Sequence, residues 1–240
     1  MRPDGRAFNE LRTVSVEPSP NRYAEGSALI RVGETHVLCT VSVQDGVESW
    51  LKGQGRGWLT AEYALLPRST HTRTSRRHTQ GGRAQEIRRL IGRSLRRAVD
   101  LTLIGERTLI VDCDVLQAAG GTRTTSIIGG YIAVALAVHT LISNSTIAPE
   151  ALLPPIAATS VGMVNGQPCL DLAYEEDAGA DMDLNVVMDA AGGFVEVQGT
   201  AEKTPVGRKE LNSLLDLATF GIEHIISMQR EVLTCAGINV

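Results

Sequence analysis

Residues 127–142, IIGGYIAVALAVHTLI, are apolar almost without a break. A helix there is apolar on every side, so it cannot lie on a surface and must be buried centrally among other elements. The helix is expected from about Thr124 to Ser143. Its approach, AAGGTRTTS at 118–126, has the opposite character. Glycine, threonine and serine are poor choices inside a helix but good ones at its start, where four backbone N–H groups have no intrahelical partner. Those donors and the positive end of the helix dipole attract anions. Arg123 adds a forked cation suited to phosphate. The alternative is a well-capped helix whose Arg123 is only solvated.

The GxxxxGK[ST] spacing of nucleotide-binding loops and its lysine are absent, so an ATPase has little support. A second glycine-led start, QGGRAQEI, places Gly81 and Gly82 before Arg83. After it, Ile87, Leu90, Ile91, Leu95, Ala98 and Leu101 form one apolar stripe of a helix, with Arg89, Arg93 and Arg96 on another flank. Residues 68–82, RSTHTRTSRRHTQGG, contain no apolar side chain and face solvent or a ligand. The remaining chain alternates with strand period. SALIRVGETHVLCTVSV reads as a hairpin turning at Gly33-Glu34, and WLTAEYALL and RTLIVDCDVL as strands. IAATSVGMV and QPCLDLAYEED form a hairpin about Asn165-Gly166, followed by strands DMDLNVVM and GFVEVQGT and a closing amphipathic helix. Hairpins interrupted by a few long helices give an α+β fold with helices layered on mixed sheets. No repeat or linker interrupts residues 1–240, and a single domain is the economical reading.

Charge is distributed unevenly. Ten arginines and one acid, Glu86, fall between residues 68 and 97, so a chain of net charge −4 carries −13 elsewhere. An all-arginine block fits phosphate recognition better than general solubility. Seven acids and no Lys or Arg fall between Asp171 and Asp189, which fits metal binding, proton chemistry or a solvated face. Asp181 and Asp183 project from the polar side of an alternating strand, with Asp177 just before it. Hard cations such as Mg²⁺ take one or two carboxylates together with substrate phosphates. The four cysteines are scattered, without a CxxC pair, and Cys39 and Cys113 read as buried reduced thiols. No 18-residue apolar stretch and no apolar leader is found, so a cytoplasmic protein without a membrane partner is expected.

RPDGR, GQGRGWLTAEYALLPRSTHTR, GGRAQEIRRLIGRSLRRAVDL, DCDVLQAAGGTRTTSI, SVGMVNGQPCLDL, EEDAGADMDLNVVM and EVQGTAE, in this order, resemble the ribonuclease PH family. That resemblance spans essentially the whole chain. It implies a ribosomal-protein-S5-domain-2-like fold with a left-handed βαβ crossover, and a homohexamer built as a trimer of dimers. It also implies a phosphorolytic 3′–5′ exoribonuclease that trims the 3′ ends of transfer RNA, and of ribosomal RNA in some members. Inorganic phosphate would be the co-substrate, with release of nucleoside 5′-diphosphates and nucleotide addition as the reverse reaction. Carried onto this chain, Arg83, Gly121, Thr122 and Arg123 bind phosphate. Asp177 and Asp183 are the catalytic pair and the ligands of Mg²⁺, and Arg68, Arg73 and Arg76 contact RNA. Two departures are visible: a shorter stretch between Arg73 and Arg83, and Ala119 where the family has Asp. The alternative is a catalytically silent RNA-binding ring subunit of an exosome-like assembly.

Overall fold

The computed structural model describes residues 2–76, 81–203 and 205–240. Its first sheet contains β1 (Val14–Pro18), β2 (Gly26–Val32), β3 (Thr35–Asp45), β4 (Trp58–Leu65) and β5 (Arg107–Gln117), in the order β1-β2-β3-β5-β4. Neighbours are antiparallel except β4 and β5, which run parallel and place Tyr63 beside Cys113. A parallel pair needs a crossover, supplied by α1 (Gly82–Leu95). The second sheet, β7-β6-β8-β9, is built from β6 (Ile156–Val164), β7 (Gln167–Leu170), β8 (Met182–Asp189) and β9 (Phe194–Ala201), all antiparallel. The turn between β6 and β7 is the expected one, Asn165 and Gly166 having φ of 52° and 73°.

The central helix, α2, is Thr122–Ser143 and starts two residues earlier than its apolar pattern suggests. It packs on β2 and β3 from one side and on β6 and the closing helix α4 (Arg208–Cys235) from the other. Close approach depends on Gly129, where a Cβ would lie 2.5 Å from the Ile30 side chain and 3.0 Å from Cys39 Sγ. Among the described residues α2 is the one helix long and apolar enough to cross a membrane, but most of it is buried inside the protein. Gln229 of α4 reaches the same layer and donates to the Ile128 and Ile156 carbonyls at 3.2 and 3.0 Å. One continuous apolar core joins both sheets.

The arginine-flanked helix buries Ile87, Leu90, Ile91 and Leu95 but ends there, so Ala98 and Leu101 of the expected stripe are buried from a 3₁₀ turn and the loop beyond it. Cys39 and Cys113 face each other across β3 and β5 as free, buried thiols. Two elements are new relative to the sequence pattern. β1 is a short edge strand, and α3 (Tyr174–Gly179) is a six-residue helix inside the acidic block. Asp177, just before β8 in sequence, therefore sits on a helix.

Candidate active site

The strand β5 ends in the loop Ala118–Gly121, which feeds α2. Gly120 and Gly121 both have positive φ, 96° and 65°. A side chain at Gly120 is doubly excluded, because a Cβ would lie 2.5 Å from the Tyr174 backbone nitrogen. The hydroxyls that follow do not cap the helix as the sequence suggests. Thr124 and Thr125 both donate to the Gly121 carbonyl, at 2.9 and 2.8 Å, and Ser126 donates to Thr122. Their Oγ atoms are turned along the helix, and Gly121 has no capping side chain. The first intrahelical bond runs from the Thr125 amide to Gly121. The amides of Thr122, Arg123 and Thr124 thus precede it, at the positive end of a 22-residue helix.

This helix start opens into a cavity of about 710 Å³. Gly121, Thr122, Arg123 and Arg83 line it, so the two glycine-led helix starts, α1 and α2, converge on one space. Gly81 flanks α1 as Gly121 flanks α2, again without a side-chain cap. Tyr63 reaches in from β4 and its hydroxyl shares a 2.8 Å hydrogen bond with Thr122 Oγ1. Burial raises the Tyr63 phenol above its ordinary value, while Thr122 and the charges of Arg83 and Arg123 oppose the rise. It is a neutral hydroxyl at physiological pH. A separate hollow of about 630 Å³ beside α4, lined by Phe8, Pro168, Leu217 and Phe220, is mainly apolar and gathers no comparable polar groups.

Arg123 is held in place by Glu86, 3.2 Å away. Burial works to raise the Glu86 carboxyl, but the Gln198 amide and the Arg123 charge outweigh it and keep Glu86 ionised. The buried Arg123 Nε nevertheless has no hydrogen-bond partner among the described residues. An orphaned buried donor costs about 1–3 kcal/mol unless something accepts from it.

The opposite wall comes from α3. Asp177 stands at the cavity edge and is exposed as a residue, yet the protein around its carboxyl raises its pKa against the pull of Arg123 and Arg83. Asp183 lies on β8 and does not line the cavity. Burial raises it, the like charges of Asp177 and Glu202 add to the rise, and Arg123 opposes it. Asp181 differs. It pairs with Lys203 at 2.8 Å, chiefly by a hydrogen bond that lowers its carboxyl. Asn185, two residues beyond Asp183, is 7% exposed and lines the cavity. The alternation of β8 put it on the polar face, but nothing in its residue type singled it out. Among the described residues no three His, Cys, Asp or Glu side chains gather as a metal cage. A Mg²⁺ ion here would rest on the two mutually repelling carboxylates and on substrate phosphates, and the crowded negative charge fits that arrangement.

The arginine block divides by role. Arg68, Arg73 and Arg76 are exposed on the loop after β4 and lie outside the cavity lining, to which the same loop contributes Thr70, His71, Thr72 and Thr74. Arg77 and the rest of 77–80 lie outside the described residues. Arg88 pairs with Glu62, Arg93 with Glu196, and Arg96 stacks 4.3 Å over Trp58 while donating to Leu59. These three hold α1 to the protein. The acidic block divides likewise. Glu176 accepts two 2.7 Å bonds from buried Arg2, and Asp171 is bound by Arg12 at 2.6 Å. Sequence reasoning missed both pairs because their partners are more than 150 residues apart.

Comparison with known proteins places this geometry. The model for domain 1 of the 3′ exoribonuclease family matches residues 10–139, more than half of the chain. The chain belongs to the 3′ exoribonuclease family. Domain 2 of that family matches residues 154–221, which adds β6–β9, α3 and the carboxylate pair to the assignment. The family fold is shared with rice (Oryza sativa) Rrp46, at TM-score 0.80 and 20% identity over 97% of this chain and 100% of that one. A chain of an archaeal exosome core gives 0.77 and 22% over 95% and 90%. A chain of the Archaeoglobus fulgidus exosome with RNA bound to the active site gives 0.78 and 22% over 95% and 92%.

Proposed function

We propose that this 3′ exoribonuclease-family chain degrades RNA from its 3′ end with inorganic phosphate as the attacking group. The observation that carries the proposal is the convergence of two uncapped helix starts, Arg83 and the unsatisfied Arg123 Nε on one cavity edged by a carboxylate of raised pKa. Phosphate seats on the amides of Thr122–Thr124 between Arg83 and Arg123. One of its oxygens attacks the terminal phosphodiester phosphorus in line, a new P–O bond forms, and the bond to the 3′-oxygen breaks. The leaving oxygen takes a proton, and a nucleoside 5′-diphosphate and a shortened RNA depart. Two anions must meet, so positioning and charge neutralisation dominate the chemistry. Asp177 and Asp183 would hold Mg²⁺, which would supply charge stabilisation to the phosphoryl oxygens. The alternative role is that one of the two, its pKa raised, delivers the proton to the 3′-oxygen. Arg68, Arg73 and Arg76 form the track for RNA arriving at the cavity.

The substrate we assign is the 3′ end of transfer RNA, with ribosomal RNA as a second target, processed by a homohexamer in the cytoplasm. Four free cysteines suit that reducing compartment. A silent RNA-binding ring subunit, the reading suggested by the exosome neighbours, would need the exposed arginines but not the phosphate socket. The deciding assay follows a 3′-labelled transfer RNA precursor with and without phosphate and identifies the released nucleotide. Phosphate-dependent release of diphosphates is expected. Monophosphates, or degradation indifferent to phosphate, would sink the proposal, and a fully inert purified oligomer would favour the silent subunit.

A further inference from the structure

We propose that Arg12, far from the socket in sequence, is a positioning residue that sets the anion-binding conformation of the loop Ala118–Gly121. The inference rests on the phosphate socket proposed above. Arg12 is 8% exposed, and its guanidinium has two sets of partners. Nε and one terminal nitrogen grip both oxygens of Asp171, at 2.9 and 2.6 Å. Its backbone amide adds a third bond to that carboxylate at 2.8 Å. The other terminal nitrogen donates to the carbonyls of Ala119 and Gly120, both at 3.3 Å. Thr35 joins from the start of β3, donating to the Gly120 carbonyl at 2.6 Å and accepting from the Ala119 amide at 3.0 Å.

Peptide planarity turns these contacts into a directional device. The carbonyl of one residue and the N–H of the next point in opposite directions from a trans peptide. The Ala119 oxygen is drawn toward Arg12 and the Tyr174 amide and the Gly120 oxygen toward Arg12 and Thr35, which turns the Gly120 and Gly121 amides the other way. Neither amide has a hydrogen-bond partner among the described residues. Both follow directly into the free amides of α2, which makes a run of donors of the kind that encloses anions. Arg12 itself contributes little net charge to the site, because Asp171 neutralises it at contact distance. Its action is on shape, and shape distinguishes it from Arg83 and Arg123.

The test compares wild type with Arg12→Lys and Thr35→Val. Inorganic phosphate binding is measured by calorimetry, RNA binding by a 3′-labelled oligonucleotide without phosphate, and the phosphate KM and kcat separately. Lysine keeps the charge but cannot grip two carboxylate oxygens and two carbonyls together. Arg12→Lys is expected to weaken phosphate binding and raise the phosphate KM by about tenfold, the loss of roughly one charge-assisted contact. Its kcat at saturating phosphate and its RNA affinity are expected to stay within about twofold of wild type, a change well inside that one-contact scale. Thr35→Val should shift phosphate affinity in the same direction by less. Wild type that takes no phosphate overturns the proposed function and this inference with it. Wild type that binds phosphate, with Arg12→Lys binding it equally well, overturns the inference alone. Should Arg12→Lys fail to fold, unchanged phosphate affinity in Thr35→Val overturns it instead.

Discussion

Replacing Gly120 with alanine tests the socket at its least forgiving point. At φ +96° an added side chain enters a region that costs an L-residue about 1–2 kcal/mol. Its Cβ would also lie 2.5 Å from the Tyr174 nitrogen, 2.8 Å from the Ala173 carbonyl carbon and 3.0 Å from the Leu172 oxygen. All three atoms are backbone, so none can swing aside as a flexible side chain would. Overpacking of this kind costs about 1–3 kcal/mol, which brings the expected destabilisation to roughly 2–5 kcal/mol. The displaced atoms begin α3, so Asp177 moves with them and phosphate turnover falls beyond the stability loss. Gly82→Ala is the matched control. That residue opens α1, has nothing among the described residues within 4 Å of its missing Cβ, and should gain about 0.4–1 kcal/mol. Urea unfolding midpoints of both variants, with phosphate binding measured at low temperature, decide the matter. A Gly120→Ala protein within about 0.5 kcal/mol of wild type, the range of an indifferent surface change, would refute the reasoning.

Asp183→Asn should abolish turnover while leaving RNA affinity nearly unchanged, and Asp181→Asn should be mild because its carboxyl is engaged by Lys203; equal losses in a phosphorolysis assay would show that the wrong carboxylate has been chosen. The raised Asp183 carboxyl makes its charge a cost to the folded state above its own pKa, so Asp183→Asn should melt above wild type at neutral pH. That advantage should vanish as acid protonates Asp183 in both folded and unfolded wild type, which melting curves from pH 7 downward will show. Arg123→Ala and Arg83→Ala should each weaken phosphate binding by about ten- to a hundredfold and respond to added phosphate. By contrast, Arg68→Ala and Arg73→Ala should weaken RNA binding and lower its salt slope by about one contact each, readable in a salt titration. Light scattering should find a hexamer, and a fully active monomer would contradict that assembly.

Much of this architecture was written in local patterns. The apolar helix, the Asn165-Gly166 hairpin and the alternation of β8 are each decided by neighbours within a few residues, where period and turn chemistry act. The glycine pair at 120–121 was legible for the same reason, since a positive φ is a local demand. β1 escaped because VSVEP is a short edge strand ended by proline, whose register depends on β2. The helix α3 escaped because six residues are too few to show a 3.6 period. In the cradle, residue types showed that hydroxyls stood at the start of α2 but not which way they would turn. Local context allowed capping, and the fold turned them back onto carbonyls. The bonds of Arg2 and Arg12 to Glu176 and Asp171 join distant stretches, and no pattern within either stretch announces the other.

Those bonds also set an order of events during synthesis. Arg12 leaves the ribosome 159 residues before its acceptor Asp171, and Arg2 leaves 174 before Glu176. At about 5–20 residues per second the wait is roughly 8–35 s. Even when α2 and the first sheet have all their residues, at residue 143, the glycine loop still lacks the anchored arginine that orients it until Asp171 emerges. The proposed phosphate socket therefore matures only when most of the polypeptide has emerged. Truncated products ending before residue 171 carry an incomplete socket, whatever else of the fold they have completed.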